Sequence, residues 1–300
     1  MKRKDRLDAI GVAGLVGFSL LLGVNQVVIK VVNTGLQPVF FAGLRSLGGI
    51  LCVWLFMRLR GKRLNFPRDT WGAGVLMGVV FSVEFLFLFL ALDLTTVTRT
   101  TVIFYSMPVW LAGVSHFVLP GERISGQKAV GLACALAGVS WAIIDQSAGT
   151  KQPSLAGDLC ALAAAFGWAS IVLVSRVTAM ARVSPDMQVF WQVLVSAPVL
   201  LLAAPLFGPL VRDLQPIHLG LLLFQIVVIV TLGFVFFFAL LSVYPSSSVA
   251  SFSFLTPVFG VFMGWAVLGE QIGASIIIAL VLVAVGIVLI NVRILRPASG

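Results

Sequence analysis

Residues 81–90, FSVEFLFLFL, set a single carboxylate, Glu84, into an otherwise apolar run. An acid near the middle of a membrane helix costs about 2.5–3.5 kcal/mol on insertion scales, so something must offset it. Two arrangements would do so. Glu84 can form an ion-pair network with Arg45 or Lys30 and hold helices together. It can instead line a cavity, where a carboxylate meets a substrate ammonium or binds a coupling proton. Polar and aromatic residues in other apolar runs are candidates for the same cavity: Asn25, Tyr105, Trp168, Trp191, Gln192 and Ser251. An aromatic lining suits an aromatic or otherwise greasy solute, although packing is the commoner role for any one of these rings.

Enzymatic chemistry has little to stand on. There is no HExxH, no GxSxG, no Walker-type GxxxxGK[ST] and no pair of intramembrane acids. Cys52, Cys134 and Cys160 lie in apolar runs without CxxC spacing, and His116 and His218 are far apart. No catalytic residue, metal site or cofactor is expected.

The elements that position these residues follow from composition. The 300 residues are 60% hydrophobic and 10% charged, with mean hydropathy +1.10. Soluble domains carry about 25% charged residues, so an all-α integral membrane protein is expected. A net charge of +9 does not point to nucleic acid, because the basic residues cluster between apolar runs. Ten transmembrane helices are expected, over 8–31, 37–58, 69–91, 94–118, 125–145, 154–178, 187–206, 217–242, 247–268 and 272–292. The basic start followed by a long apolar run, without an A-x-A-like cleavage site, reads as an uncleaved first span. With alternating spans, the clusters Lys2–Arg6, Arg58–Arg68, Arg123–Lys128, Arg176–Arg182 and Arg293–Arg296 share one side. Arg99, Lys151 and Arg212 lie on the other. The positive-inside rule then places both termini in the cytoplasm, and Lys30, Arg45 and Glu84 in the outer half of the membrane.

The chain also repeats itself. Ala91-Leu92, Pro108, Gly121-Glu122 and Gly138 correspond to Ala239-Leu240, Pro257, Gly269-Glu270 and Gly286, at an offset near 148 residues. Gly11 and Lys30 match Gly157 and Arg176 at offset 146. Each repeat holds five spans, an odd number, so the second enters the membrane inverted. Inverted repeats are characteristic of secondary transporters, whose sites lie at the repeat interface near interrupted helices. The matched stretches TTVTRTTVIFYSMPVW and SSSVASFSFLTPVF each carry hydroxyls and a proline. Pro108 and Pro257 are therefore candidates for helix bending or gating. Gly74-x-x-x-Gly78 and Gly260-x-x-x-Gly264 read as packing motifs. Glu122 and Glu270 read as caps at the starts of the fifth and tenth helices.

The duplicated segments from Met107-Pro108 to Gly121-Glu122 and from Thr256-Pro257 to Gly269-Glu270, with Asn25, Lys30 and Arg45, resemble the drug/metabolite transporter superfamily, in its EamA-type ten-helix branch. The resemblance implies two inverted five-helix repeats, 1–148 and 149–300, forming one membrane domain with a central cavity. It implies a bacterial inner-membrane exporter of amino acids or related metabolites, working by alternating access, and is similar to exporters of aromatic amino acids. A broad-range exporter of cationic drugs is the alternative, since Glu84 would suit either substrate. A channel or membrane-embedded enzyme is further off. The expected partners are a small-molecule substrate and the lipid bilayer.

Overall fold

Backbone N–H and C=O groups find no water inside a bilayer, and a helix satisfies them within one segment. The apolar runs accordingly fold as helices. This computed structural model describes residues 8–118, 124–145, 154–233, 236, 240, 243–244 and 254–291. Its helices are α1 (Ala9–Gly35), α2 (Pro38–Leu59), α3 (Trp71–Leu94), α4 (Val97–Phe104), α5 (Met107–Val118) and α6 (Gly126–Ile144). They continue with α7 (Leu155–Val177), α8 (Pro185–Ala203), α9 (Pro216–Phe224), α10 (Leu255–Leu268) and α11 (Ala274–Asn291). Among the described residues there is no β-strand, only an isolated bridge between Leu36 and Val211. Among the described residues, eight segments are long and apolar enough to cross a membrane, and Leu255–Leu268 and Ala274–Ile290 are shorter apolar helices. The start of the expected 247–268 span lies outside the described residues.

Helix ends follow local chemistry. The Asp8 carboxylate accepts the Gly11 N–H at 2.9 Å and opens α1. Pro38 and Pro185 stand in the first turns of α2 and α8, where the missing donor costs nothing. The first span runs on to Gly35, past the expected stop near Lys30, because Val31 and Val32 continue the apolar run.

Two spans are irregular. The fourth is interrupted by a turn at Tyr105–Ser106, between α4 and α5, with Pro108 in the first turn of α5. Ser106 relieves the break: its hydroxyl donates to the Ile103 carbonyl at 2.6 Å and accepts the Trp110 indole N–H at 2.9 Å. The eighth changes from α9 into a π-helix over Gln225–Gly233. Pro257 stands in the first turn of α10, again where no donor is needed.

Small residues let the helices approach closely. A Cβ added at Gly131 would lie 2.9 Å from the Gly286 carbonyl, so α6 and α11 meet backbone to backbone. α3 packs against α7 and α8, α2 against α8, and α1 against α10, where Gly23 meets the Phe259 backbone. α4 lies between α7 and α10, with Gly260 against Thr101. The central core stacks Phe81, Phe85 and Phe89 at ring distances of 4.2 and 5.5 Å, with Phe41 at 5.0 Å from Phe89.

Candidate substrate site

Within this apolar core lies a cluster of buried polar side chains from four segments. Arg45 on α2, 6% exposed, donates from Nε to Gln225 Oε1 at 3.0 Å. Gln225, at the start of the π-helix, donates from Nε2 to Asn25 Oδ1 on α1 at 2.7 Å. The Arg45 guanidinium also lies 4.6 Å over the Phe85 ring. Nε is thereby held and the plane of the guanidinium fixed. The π-helix places Gln225 fully inside the bundle, and such segments are frequent at functional sites.

Glu84, 3% exposed, is the electrostatic partner of Arg45. Among the described residues its carboxylate makes no hydrogen bond and no ion-pair contact within 4.0 Å. Its position depends on Gly167 of α7: a Cβ there would come within 2.9 Å of the Glu84 Cβ. Trp168, next to that glycine, is half-buried against the core. Tyr105, at the turn in the fourth span, is buried beside Gln26 and within electrostatic reach of Glu84. Gln26 Oε1 and the hydroxyls of Thr100 and Thr101 are buried without hydrogen-bond partners among the described residues. Buried polar atoms are paired in most folded chains, so these atoms have unused hydrogen-bonding capacity.

Other expected site residues fall elsewhere. Trp191 is buried on α8 against Gly74 and Gly78, with Phe66 edge-on at 5.1 Å. Gln192 donates to Met77 Sδ at 3.6 Å. The glycines facing Trp191 precede Glu84 by six and ten residues, roughly 9–15 Å along α3. Ser251 and Glu122 lie outside the described residues.

Lys30 also stands apart from Glu84, in place of the expected three-residue network with Arg45. Its ammonium donates to the carbonyls of Thr95 at 2.7 Å and Asp93 at 3.3 Å. Asp93 is nine residues beyond Glu84, roughly 13 Å along the helix, too far for one lysine to serve both.

The EamA-like transporter family matches the chain twice, over residues 9–144 and 155–292. The chain belongs to this family. It is 26% identical over 277 residues to "Uncharacterized transporter YoaV" of Bacillus subtilis, covering 91% of this chain and 94% of that protein. It is 26% identical over 310 residues to a "Probable amino-acid metabolite efflux pump" of Escherichia coli, covering 96% and 94%. A solved crystal structure shares the fold with a TM-score of 0.66 at 22% identity, covering 93% of this chain and 97% of its own.

This EamA-like chain contains functional candidates that the sequence reading passed over. Gln225 is one. The signal was available, since a lone amide in LLLFQIVVIV has to be satisfied just as Glu84 does. Arg99 and Asp158 form a buried bidentate pair, with Nε–Oδ1 at 3.1 Å and Nη2–Oδ2 at 2.5 Å. Arg99 also donates to the carbonyls of Ala142 and Asp145, tying α4 to α6 and α7. Glu270 caps a different helix from the one expected. It accepts the N–H groups of Val97 at 2.7 Å and Thr98 at 2.8 Å, at the start of α4, whereas α11 begins at Ala274. At the same end Arg212 pairs with Asp93 at 2.7 and 3.0 Å. The Asp93 carboxylate, through those hydrogen bonds, raises the Arg212 guanidinium above its ordinary range.

Proposed function

We propose that this protein is a secondary transporter that exports amino acids, with aromatic or large neutral ones favoured, and related metabolites across the bacterial inner membrane. Two inverted repeats, 1–148 and 149–300, rock about the polar cluster at their seam, with both termini cytoplasmic. The observation that carries this reading is the Arg45–Gln225–Asn25 chain with Glu84 beside it. It joins side chains of both halves in the middle of the bundle. The packing also supports an inverted pair. α2 against α8 and α6 against α11 join equivalent spans of the two halves. The contact of the first span with the ninth has its counterpart in that of the sixth with the fourth, as a two-fold axis in the membrane plane requires.

A free amino acid is a zwitterion. Its ammonium suits the Glu84 carboxylate, which makes no hydrogen bond among the described residues, and its carboxylate suits the guanidinium fork of Arg45, held from behind by Gln225. Phe81, Phe85, Tyr105 and Trp168 offer the apolar surface for an aromatic or large side chain. A purely cationic drug would meet Glu84 but also Arg45, which disfavours it. The contacts of Lys30, Arg212 and Glu270 close the periplasmic end, and they open when the halves rock outward. The relative named as an amino-acid metabolite efflux pump is in keeping with this substrate class. Energy comes from the substrate gradient or from protons.

Purified protein in liposomes, offered a panel of labelled amino acids with and without a proton gradient, tests the reading. Saturable uptake and counterflow of an aromatic or large neutral amino acid are expected. Linear, unsaturable flux would point to a channel, and uptake of organic cations alone would point to a drug exporter; either overturns the proposal.

A further inference from the structure

A second site, remote from the polar cluster, stands at the C-terminal end of α2. The helix ends in a Schellman turn: Gly61, at φ +68°, donates to the Arg58 carbonyl, and Lys62 donates to the Met57 carbonyl. The turn reverses the chain and brings Lys62 and Arg63 back over the last turn of α2. A pocket of about 170 Å³ results, lined by Trp54, Met57, Arg58, Lys62, Arg63 and Leu64. Met57, 1% exposed, forms its floor. Lys62 is engaged by Asp186 of α8, which fixes the returning chain in place. Arg60 lies over the Phe56 ring at 4.7 Å. Arg58 and Arg63 are exposed and make no ion pair among the described residues.

The helix surface above this pocket is apolar and open. Leu47, Leu51, Trp54 and Leu55 are 47%, 66%, 42% and 51% exposed and follow one face of α2 down to Arg58, at helical spacing. The pocket therefore lies where an apolar helix face ends. Nearby, Trp71 is exposed with its indole N–H on the Phe66 carbonyl, as an interfacial tryptophan is.

We propose that this pocket binds the headgroup of one anionic phospholipid. Arg58 and Arg63 hold the phosphate from two sides. The Trp54 indole sits at the glycerol level, and the acyl chains lie along Leu55, Leu51 and Leu47. A free phosphate could satisfy the arginines but not the apolar face, and a zwitterionic lipid would bring its own cation against them.

The test uses the full-length protein in detergent, with added phosphatidylglycerol, phosphatidylcholine or inorganic phosphate. Native mass spectrometry and thermal melting are the readouts. One phosphatidylglycerol is expected to be retained and to raise the melting temperature, whereas phosphatidylcholine is not retained and millimolar phosphate does not compete. The double variant Arg58→Gln/Arg63→Gln should weaken phosphatidylglycerol retention at least tenfold while folding normally, since neither side chain is buried. Lys128→Gln should retain the lipid. Wild-type retention by the double variant, an equal loss in Lys128→Gln, or displacement by inorganic phosphate each overturns the proposal.

Discussion

Glu270 and Thr98 are 172 residues apart in sequence, yet the Glu270 carboxylate accepts both the backbone N–H and the hydroxyl of Thr98. With the Val97 N–H it occupies the open end of α4, where unpaired donors and the helix dipole favour an anion. Gly264 permits the contact, because a Cβ there would lie 2.8 Å from the carboxylate. An acid from the second half of the chain thus caps a helix of the first. Losing a side-chain cap costs about 0.5–2 kcal/mol. Glu270→Ala should lower the thermal stability of the purified protein by about that amount. It should also free α4, so that a cysteine placed at Thr98 labels faster with a membrane-impermeant thiol reagent. Unchanged labelling would show that the cap is not a latch.

The Arg99–Asp158 pair predicts a larger effect. Both side chains are buried, at 1% and 0% exposure, and the guanidinium also satisfies two carbonyls. Removing one partner leaves an uncompensated charge and costs about 3–5 kcal/mol. Asp158→Asn or Arg99→Ala should sharply reduce folded yield and melting temperature. The double variant Arg99→Met/Asp158→Leu should recover most of the loss. If it melts as low as either single variant, the carbonyl contacts of Arg99 matter more than the ion pair.

The helices were legible because a bilayer leaves the chain few alternatives. Long apolar runs punctuated by basic clusters mark segments at nearly the positions found. The duplicated Pro-to-Gly-Glu order is legible because few other readings fit the same order at a nearly constant offset. Partnerships were not. Glu270 looks like the start of its own helix in one dimension, and only the packing of α4 against α10 reveals the helix it caps. Sequence fixes only the depth of Lys30 and Glu84 along the membrane normal, which is similar, and not their lateral separation. Their separation follows from which carbonyls lie within the lysine's reach. Gln225 carries a weaker sequence signal than Glu84, because burying a neutral amide costs less than burying a charge, although both must be satisfied.

Gly167 offers a test of how tightly the site is held. The glycine lets α3 and α7 approach until a Cβ would touch Glu84. Gly167→Ala should force the helices apart by a few tenths of an ångström, and Gly167→Leu by more, with overpacking costs of about 1–3 kcal/mol. Because the displaced element carries Glu84, transport should fall more steeply than stability across this pair. Parallel losses, measured as melting temperature against initial flux in liposomes, would mean that the glycine serves packing alone.

The roles of Arg45 and Glu84 can be separated from simple packing by pairing each variant with a suitable substrate. Glu84→Gln keeps the shape of the side chain and removes its charge, and Arg45 remains held by Gln225 and Phe85. A charge-assisted hydrogen bond contributes about 1.5–3 kcal/mol, equivalent to a roughly tenfold to hundredfold change in apparent affinity. Glu84→Gln should therefore weaken amino-acid transport by that factor without lowering the amount inserted in the membrane. An analogue lacking the amino group should lose little between wild type and variant, since it never engaged the carboxylate. Arg45→Lys should fail for a different reason. A lysine cannot donate to Gln225 from an Nε position while presenting a planar fork to the substrate carboxylate. Gln225→Leu should weaken transport through Arg45, by releasing the guanidinium. If Glu84→Gln transports at the wild-type rate while Arg45→Lys fails to fold, the charges serve only to hold α2 and α3 together.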